Sequence, residues 1–364
     1  MILTAKIKLQ PNETQHDWLL ETLERANQAC QAISDLAWEH RVFSKFRLQE
    51  MCYYDVRERF SLSAQMTIRC LAKVADAYKL DKRKCRRFRS RGSIAYDDRI
   101  LSFGMNTQTV SIWTLEGRET IPFQAGQHQL DLLQHQQGES KLAYQRGCFY
   151  LLVSCEVEAP KTSVVQDFIG VDMGIVNIAT TSDGQSFSGK TIQSVRHRNR
   201  RLRKKLQQKG TKSAKRLLRH LSGREKRFVN DVNHCISKQI VQEAQRTKRG
   251  VAVEEMTGIR SRIRVRKSQR TQLHSWSFGD LGLKLCYKAK KYGVVFVEVD
   301  PAYTSQMCSC CGEIDKASRQ TQSKYQCTSC GFVAHADVNA AINIGCRGVV
   351  MRPHADSELG LNPA

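Results

Sequence analysis

Cys308-Ser309-Cys310-Cys311-Gly312 and Cys327-Thr328-Ser329-Cys330-Gly331 carry two Cys-x-x-Cys pairs with fifteen residues between them, and Asp337 follows Cys330 by seven positions. This spacing predicts a zinc ribbon over 301–334, with two tight knuckles giving Cys308, Cys311, Cys327 and Cys330 to one tetrahedral Zn²⁺. Gly312 and Gly331 stand where the chain must turn closely around the ion. Cys310 falls outside the pattern of both knuckles. Four thiolates close the coordination shell and leave no place for a catalytic water, so the expected zinc is structural. Asp337 ties that module to a carboxylate suited to catalysis.

Working outward, apolar runs define the frame. Phe168-Ile-Gly-Val-Asp172 reads as a strand ending on an acid, with Val176 to Thr181 as a hairpin partner. Val251-Ala-Val-Glu254-Glu255 is a second such strand, and Val294 to Val299 a third. Asp337-Val-Asn-Ala-Ala-Ile-Asn-Ile344 opens a helix. Asp172, Glu254 and Asp337 therefore sit where three carboxylates could converge on one sheet edge. Acids in apolar surroundings are costly unless they are paired or bind a cation. Three acids without histidine suit Mg²⁺ better than zinc. Two such ions about 4 Å apart would activate water and stabilise the leaving oxygen of a phosphodiester. Each acid also fits a simpler role: Asp172 in a turn, Asp337 as a helix N-cap, Glu254 as a surface glutamate. The pattern alone does not choose between Glu254 and Glu255.

The first half has a different texture. Residues 2–9 read as a strand ended by Pro11-Asn12, and a helical stripe follows through Leu19, Leu23, Ala26, Cys30, Ile33 and Ala37. A second helix carries Met66, Cys70 and Val74. From 93 to 158 short apolar runs between turn residues predict antiparallel sheet, a small barrel to which strand 2–9 returns. The helices between are then an insertion, and Ala159-Pro160 marks the boundary. Tyr96, Trp113 and Phe123 read as barrel core rather than base-stacking platforms.

Charge narrows the partners. The 364 residues hold 58 Lys and Arg against 35 Asp and Glu, a net charge of +23. That excess points to a polyanion. A membrane surface is disfavoured, because no run of eighteen apolar residues occurs and Met1 to Lys8 does not read as a signal peptide. Fourteen cysteines, ten outside the ribbon pairs, fit a reducing cytosol, so a cytoplasmic location is expected. Residues 196–228 contain fifteen Lys and Arg and one acid, Glu225, with Gly210 expected to separate two helices. Arg200, Arg201, Lys204, Lys205 and Arg227 are candidate phosphate contacts there. Lys82, Arg83, Arg86 and Arg87 form a second cluster, and Arg264 and Arg266 belong to a basic loop from Arg260 to Arg270. His234 reads as a locally packed helix residue, with a contact to the cleaved strand as its alternative.

Gly170-Val-Asp172-Met-Gly174, Val251-Ala-Val-Glu254-Glu-Met256 and Asp337 to Ile344 resemble the three motifs of a RuvC-like, RNase H-type nuclease. With Val299-Asp-Pro-Ala-Tyr303-Thr-Ser305-Gln-Met-Cys308 and Arg227-Phe-Val-Asn230-Asp-Val-Asn-His234, they look like TnpB, the transposon-encoded RNA-guided DNA endonuclease family related to type V CRISPR effectors. The resemblance is specific over about 165–345. It implies that Asp172, Glu254 and Asp337 are the catalytic Mg²⁺ ligands, and its Glu-acidic-aliphatic pattern selects Glu254 over Glu255. Met173 and Met256 stand where the family usually has leucine, which removes no ligand. The implied architecture is a wedge-like β-barrel (1–10 and 93–160) with an inserted helical recognition domain (11–92). A RuvC-like α/β domain (165–300 and 335–364) interrupted by the ribbon follows. The implied partners are a guide RNA from the transposon end and double-stranded target DNA cut beside a short flanking motif, the guide RNA–DNA heteroduplex being held through its backbone. The implied location is the prokaryotic cytoplasm, associated with the nucleoid. An RNA-guided repressor without cleavage is one rival, weakened by the intact acids. A strand-transfer transposase is the other, weakened by the ribbon placed between the second and third acids.

Overall fold

The computed structural model describes residues 1–162, 164–255 and 278–351. Arg264, Arg266 and the rest of the basic loop lie outside the described residues, as does Met256. The chain forms two compact units, Met1–Glu158 and Ala159–Ala364.

In the first unit, β1 (Ile2–Leu9) leads into α1 (Glu13–Glu39) through Asn12, whose side chain accepts from Gln15 N while Gln15 reciprocates, closing a capping box. α2 (Lys45–Arg59) and α3 (Ala64–Leu80) follow, the latter capped by Ser63. The sheet then continues through β2 (Ile94–Tyr96), β3 (Leu101–Gly104), β4 (Thr109–Thr114), β5 (Gly117–Gln124), the short helix α4 (Gln127–Leu133), β6 (Gln136–Gln145) and β7 (Cys148–Glu156). The strand order is β2-β6-β7-β1-β5-β4-β3. β2 and β3 occupy opposite edges, yet residues 97–100 alone join them, so the sheet must curl until its edges nearly meet. Tyr96 on β2 accordingly donates its hydroxyl proton to Trp113 O on β4. The result is a nearly closed barrel with the helices packed on its core. Tyr96 and Phe123 are buried in that core, and Trp113 packs partly against it.

The second unit is built on a five-stranded mixed sheet of order β10-β9-β8-β11-β12. Its strands are β8 (Phe168–Asp172), β9 (Asn177–Thr181), β10 (Ser186–Ser188), β11 (Gly250–Glu254) and β12 (Phe296–Val299). β8, β11 and β12 are parallel, and β9 returns antiparallel to β8. α5 (Lys190–Lys209) and α6 (Lys212–Leu221) meet at Gly210, whose φ of +62° ends the first of them. α7 (Arg224–Arg246) and α8 (Phe278–Lys291) cover one sheet face against Ile169, Val171, Val251 and Val253. The other face carries Phe168 and Ala252 and receives Ile344 of α9 (Ala336–Val350). Between β12 and α9 the hairpin β13 (Lys324–Gln326) and β14 (Val333–His335) forms a small insert with the cysteines.

Candidate active site

Strand alternation sets the site. Successive side chains of a strand point to opposite faces. Phe168 and Ala252 face α9, so Asp172 and Glu254, four and two positions later, face it too. β8 and β11 are in parallel register, Val171 opposite Val253, which brings the two acids onto neighbouring strand ends. Gly170 lets the third approach: a Cβ there would overlap the Ala341 carbonyl oxygen and Gly345 N of α9. The helix thus lies directly on β8 and carries Asp337, 5% exposed, in its first turn. Asp337 is not the N-cap. His335 is, its Nδ1 accepting from Asp337 N, which leaves the Asp337 carboxylate to face the site.

The electrostatics report this crowding. Burial, then the charges of Glu254 and Asp337, push the Asp172 carboxyl from 3.8 up to about 7, against an opposing pull from Arg319. Burial also raises Glu254, opposed by a hydrogen bond from Thr304 and by Arg347 and Arg319. Glu255, by contrast, is exposed. The donor set is all oxygen, as Mg²⁺ requires. Among the described residues these acids do not close to the mutual 4.8 Å reached by the cysteine thiols.

Four supporting residues escaped the sequence reading. Asn177 Nδ2 donates to Asp337 Oδ2 at 3.0 Å, and Arg319 Nη2 pairs with Asp337 Oδ1 at 3.0 Å. Thr304 Oγ1 donates to Glu254 Oε1 at 2.5 Å. Arg347 donates to Asp300 O at 2.6 Å, beside Glu254. Thr304 and Arg319 both come from the chain between β12 and α9. Asn339 and Asn343, one helical turn apart, bind that chain's backbone. Asn339 Oδ1 accepts from Ser309 N, and both amides donate to Met307 O.

The cysteines form the donor set of a tetrahedral metal site. Cys308, Cys311, Cys327 and Cys330 have their sulfurs within 4.8 Å of one another. Cys308–Cys330 is 3.8 Å and Cys311–Cys327 is 3.6 Å. A tetrahedron with ~2.3 Å zinc–sulfur bonds has edges of about 3.8 Å, so the residues fit the ion. Backbone N–H groups, Cys330's first, hold the Cys327 thiol down to about 7. Gly312 and Gly331 take φ of +78° and +73° in the two turns.

The basic candidates divide. Arg200, Arg201, Lys204 and Lys205 are exposed on α5, and Arg227 on α7. Arg196 and Arg203 pair instead with Glu225. Lys82, Arg83 and Arg87 are exposed, whereas Arg86 donates to Asp81 O and pairs with its carboxylate. His234 is packed between α7 and α8, its Nδ1 3.3 Å from the Tyr287 hydroxyl, and burial lowers its pKa. No helix among the described residues is long and apolar enough to cross a membrane.

Known proteins share this organisation. Residues 152–260 match the family model described as a probable transposase, OrfB_IS605, and residues 278–344 match the Cas12f1-like TNB domain. A CRISPR-associated endodeoxyribonuclease Cas12f1 of Sulfoacidibacillus thermotolerans is 40% identical over 121 residues, 32% of this chain and 26% of that protein. A TnpB-like protein of Methanocaldococcus jannaschii is 36% identical over 145 residues, 40% and 51% of the two chains. A putative RNA-guided DNA endonuclease of Escherichia coli is 28% identical over 226 residues, 56% and 54% of the two. The chain thus spans between about a quarter and a half of the length of these relatives. Its fold resembles a Cas12f1 solved in complex with guide RNA and target DNA, with a TM-score of 0.58 at 16% identity over 90% of this chain and 82% of that one. With its RuvC-like sheet and its four-cysteine insert, the chain is thus similar to the TnpB/OrfB_IS605 family over residues 152–260 and to the Cas12f1-like TNB domain over residues 278–344.

Proposed function

We propose that this protein is an RNA-guided, Mg²⁺-dependent DNA endonuclease that cuts double-stranded DNA beside a short flanking motif. The observation that carries the reading is Asp172 and Glu254 on the sheet face covered by α9, beside Asp337 in the first turn of that helix, with Asp172 raised by burial and by the other two charges. Mutually opposed carboxylates of this kind are stabilised by divalent cations. Two Mg²⁺ ions held there would supply activation of water and neutralisation of the leaving oxygen.

The chain's own residues prepare the site. Asn177 and Arg319 each hold one oxygen of Asp337, and Thr304 fixes Glu254, so the ligands are oriented before substrate arrives. The exposed cations of α5 and the cluster around Lys82, Arg83 and Arg87 would take the phosphates of guide RNA and its heteroduplex. One Zn²⁺ on the four cysteines would hold the insert that delivers Thr304 and Arg319.

The test is co-expression with the DNA flanking the gene, sequencing of the bound RNA, and Mg²⁺-dependent cleavage of a matched plasmid library by wild type and Asp172→Ala. Breaks at RNA-matched sites that vanish in the variant are expected. RNA-matched binding without breaks in either protein would instead identify a repressor, and joined DNA ends a strand-transfer enzyme.

A further inference from the structure

Tyr303 is out of place by every packing criterion. It takes φ +61°, in the left-handed region that bulky L-residues rarely occupy. The other non-glycine residues of positive φ among those described are arginine, lysine, serine and glutamine. The residue is 57% exposed. Among the described residues its ring pairs with no other ring or cation, and its hydroxyl makes no hydrogen bond. The turn is nonetheless held firmly: Tyr303 O accepts from both Gln306 N and Met307 N at 2.9 Å, and Ala302 N donates to Asp300 Oδ1 at 3.0 Å. Glycine would satisfy that backbone at lower cost, so the fold gains nothing visible from the ring.

The surroundings supply a use. The next residue, Thr304, binds Glu254, and Arg347 grips Asp300 in the same loop. An exposed aromatic face therefore stands one residue from the contact that orients a candidate catalytic acid, with a cation at the base of its loop. Of the large hydrophobic residues exposed among those described, Phe46 and Tyr54 are the other aromatics, and both lie on α2 in the first unit. Strained backbone kept at a site's edge is the common mark of a ligand contact. Aromatic rings beside cationic side chains take unpaired bases by stacking, whatever the base.

We propose that Tyr303 is a stacking platform for an unpaired base of the DNA strand entering the carboxylate site, positioning the scissile phosphate. This inference rests on the nuclease reading above. It is tested on the guide-loaded protein with matched target DNA carrying 2-aminopurine at successive positions of each strand in turn. Ca²⁺ replaces Mg²⁺ for the fluorescence measurement. Wild type and Tyr303→Phe are expected to quench the probe alike. Tyr303→Ala and Tyr303→Gly should leave it bright and cut about tenfold more slowly at sub-saturating DNA, through KM more than kcat. Tyr303→Gly should melt no lower than wild type, because it relieves the backbone, which separates stacking from a structural role. Quenching and cutting by Tyr303→Gly at wild-type levels would overturn the proposal. A wild type that quenches but never cuts would overturn the nuclease reading and leave the platform standing.

Discussion

Arg319 Nη2 lies 3.0 Å from Asp337 Oδ1, an ion pair between the cysteine-bearing insert and the helix that follows it. Arg319 also pulls down the Asp172 and Glu254 carboxyls, so one guanidinium faces all three acids.

Arg319→Ala should therefore lower the cleavage rate by about tenfold to a hundredfold, the usual consequence of losing a group that orients a metal ligand. Its Mg²⁺ requirement should rise while guide RNA binding is unchanged. Cleavage rates across a Mg²⁺ titration check both, and wild-type behaviour at low Mg²⁺ would contradict the orienting role.

The Asp172 carboxyl makes stability depend on pH. Its folded value is about 7 against an ordinary 3.8. Between these values the folded chain holds a proton that the unfolded chain has lost. This contribution is complete below the ordinary value and disappears as pH rises through about 7. Glu254, also raised, acts in the same sense. The protein in chelator should melt progressively lower from pH 5 to pH 8, and Asp172→Asn should flatten the profile. Mg²⁺ must displace this proton, so its apparent affinity should be about tenfold greater at pH 8 than at pH 6. Calorimetric titration at the two pH values measures it.

Gly170→Ala sets the contact between β8 and α9. The added methyl would meet backbone, which cannot rotate away. A loss of at least about 2 kcal/mol is expected, with Asp337 displaced from Asp172. Thermal melting reads the first effect and cleavage the second.

Cys330→Ser should reduce bound zinc from one equivalent toward none and lower the melting temperature. It should weaken cleavage although every carboxylate remains. Elemental analysis alongside the cleavage assay decides this. Full activity in a zinc-free protein would show that Thr304 and Arg319 reach the acids without the ribbon's metal.

The cysteine set was legible because each knuckle is local, four residues read in one glance. The acids were legible because strand ends show as apolar runs, and alternation fixes which way Asp172 and Glu254 face. Asn177, Thr304 and Arg319 were not. Their partners lie 160, 50 and 18 residues away, and nothing in a polar side chain's neighbours announces such a contact. α2 was missed for a different reason: Leu48, Cys52 and Val56 are its only buried residues, too thin a stripe to stand out of fifteen. Arg86 shows the opposite failure, since a basic run hides which of its members the loop itself consumes.

Asn339 and Asn343 rivet the first knuckle to α9 by its backbone, at Ser309 and Met307, so the anchor is indifferent to side chains along that segment. The fifteen residues from Gly312 to Gln326 continue from this anchor and are pinned again where Ile314 bridges to Met307 and Arg319 to Tyr325, with Arg319 at mid-span. Lengthening or shortening this stretch would move the guanidinium while leaving the Asn339 and Asn343 anchors in place, making loop length an adjustable dial on the charge that the carboxylates feel.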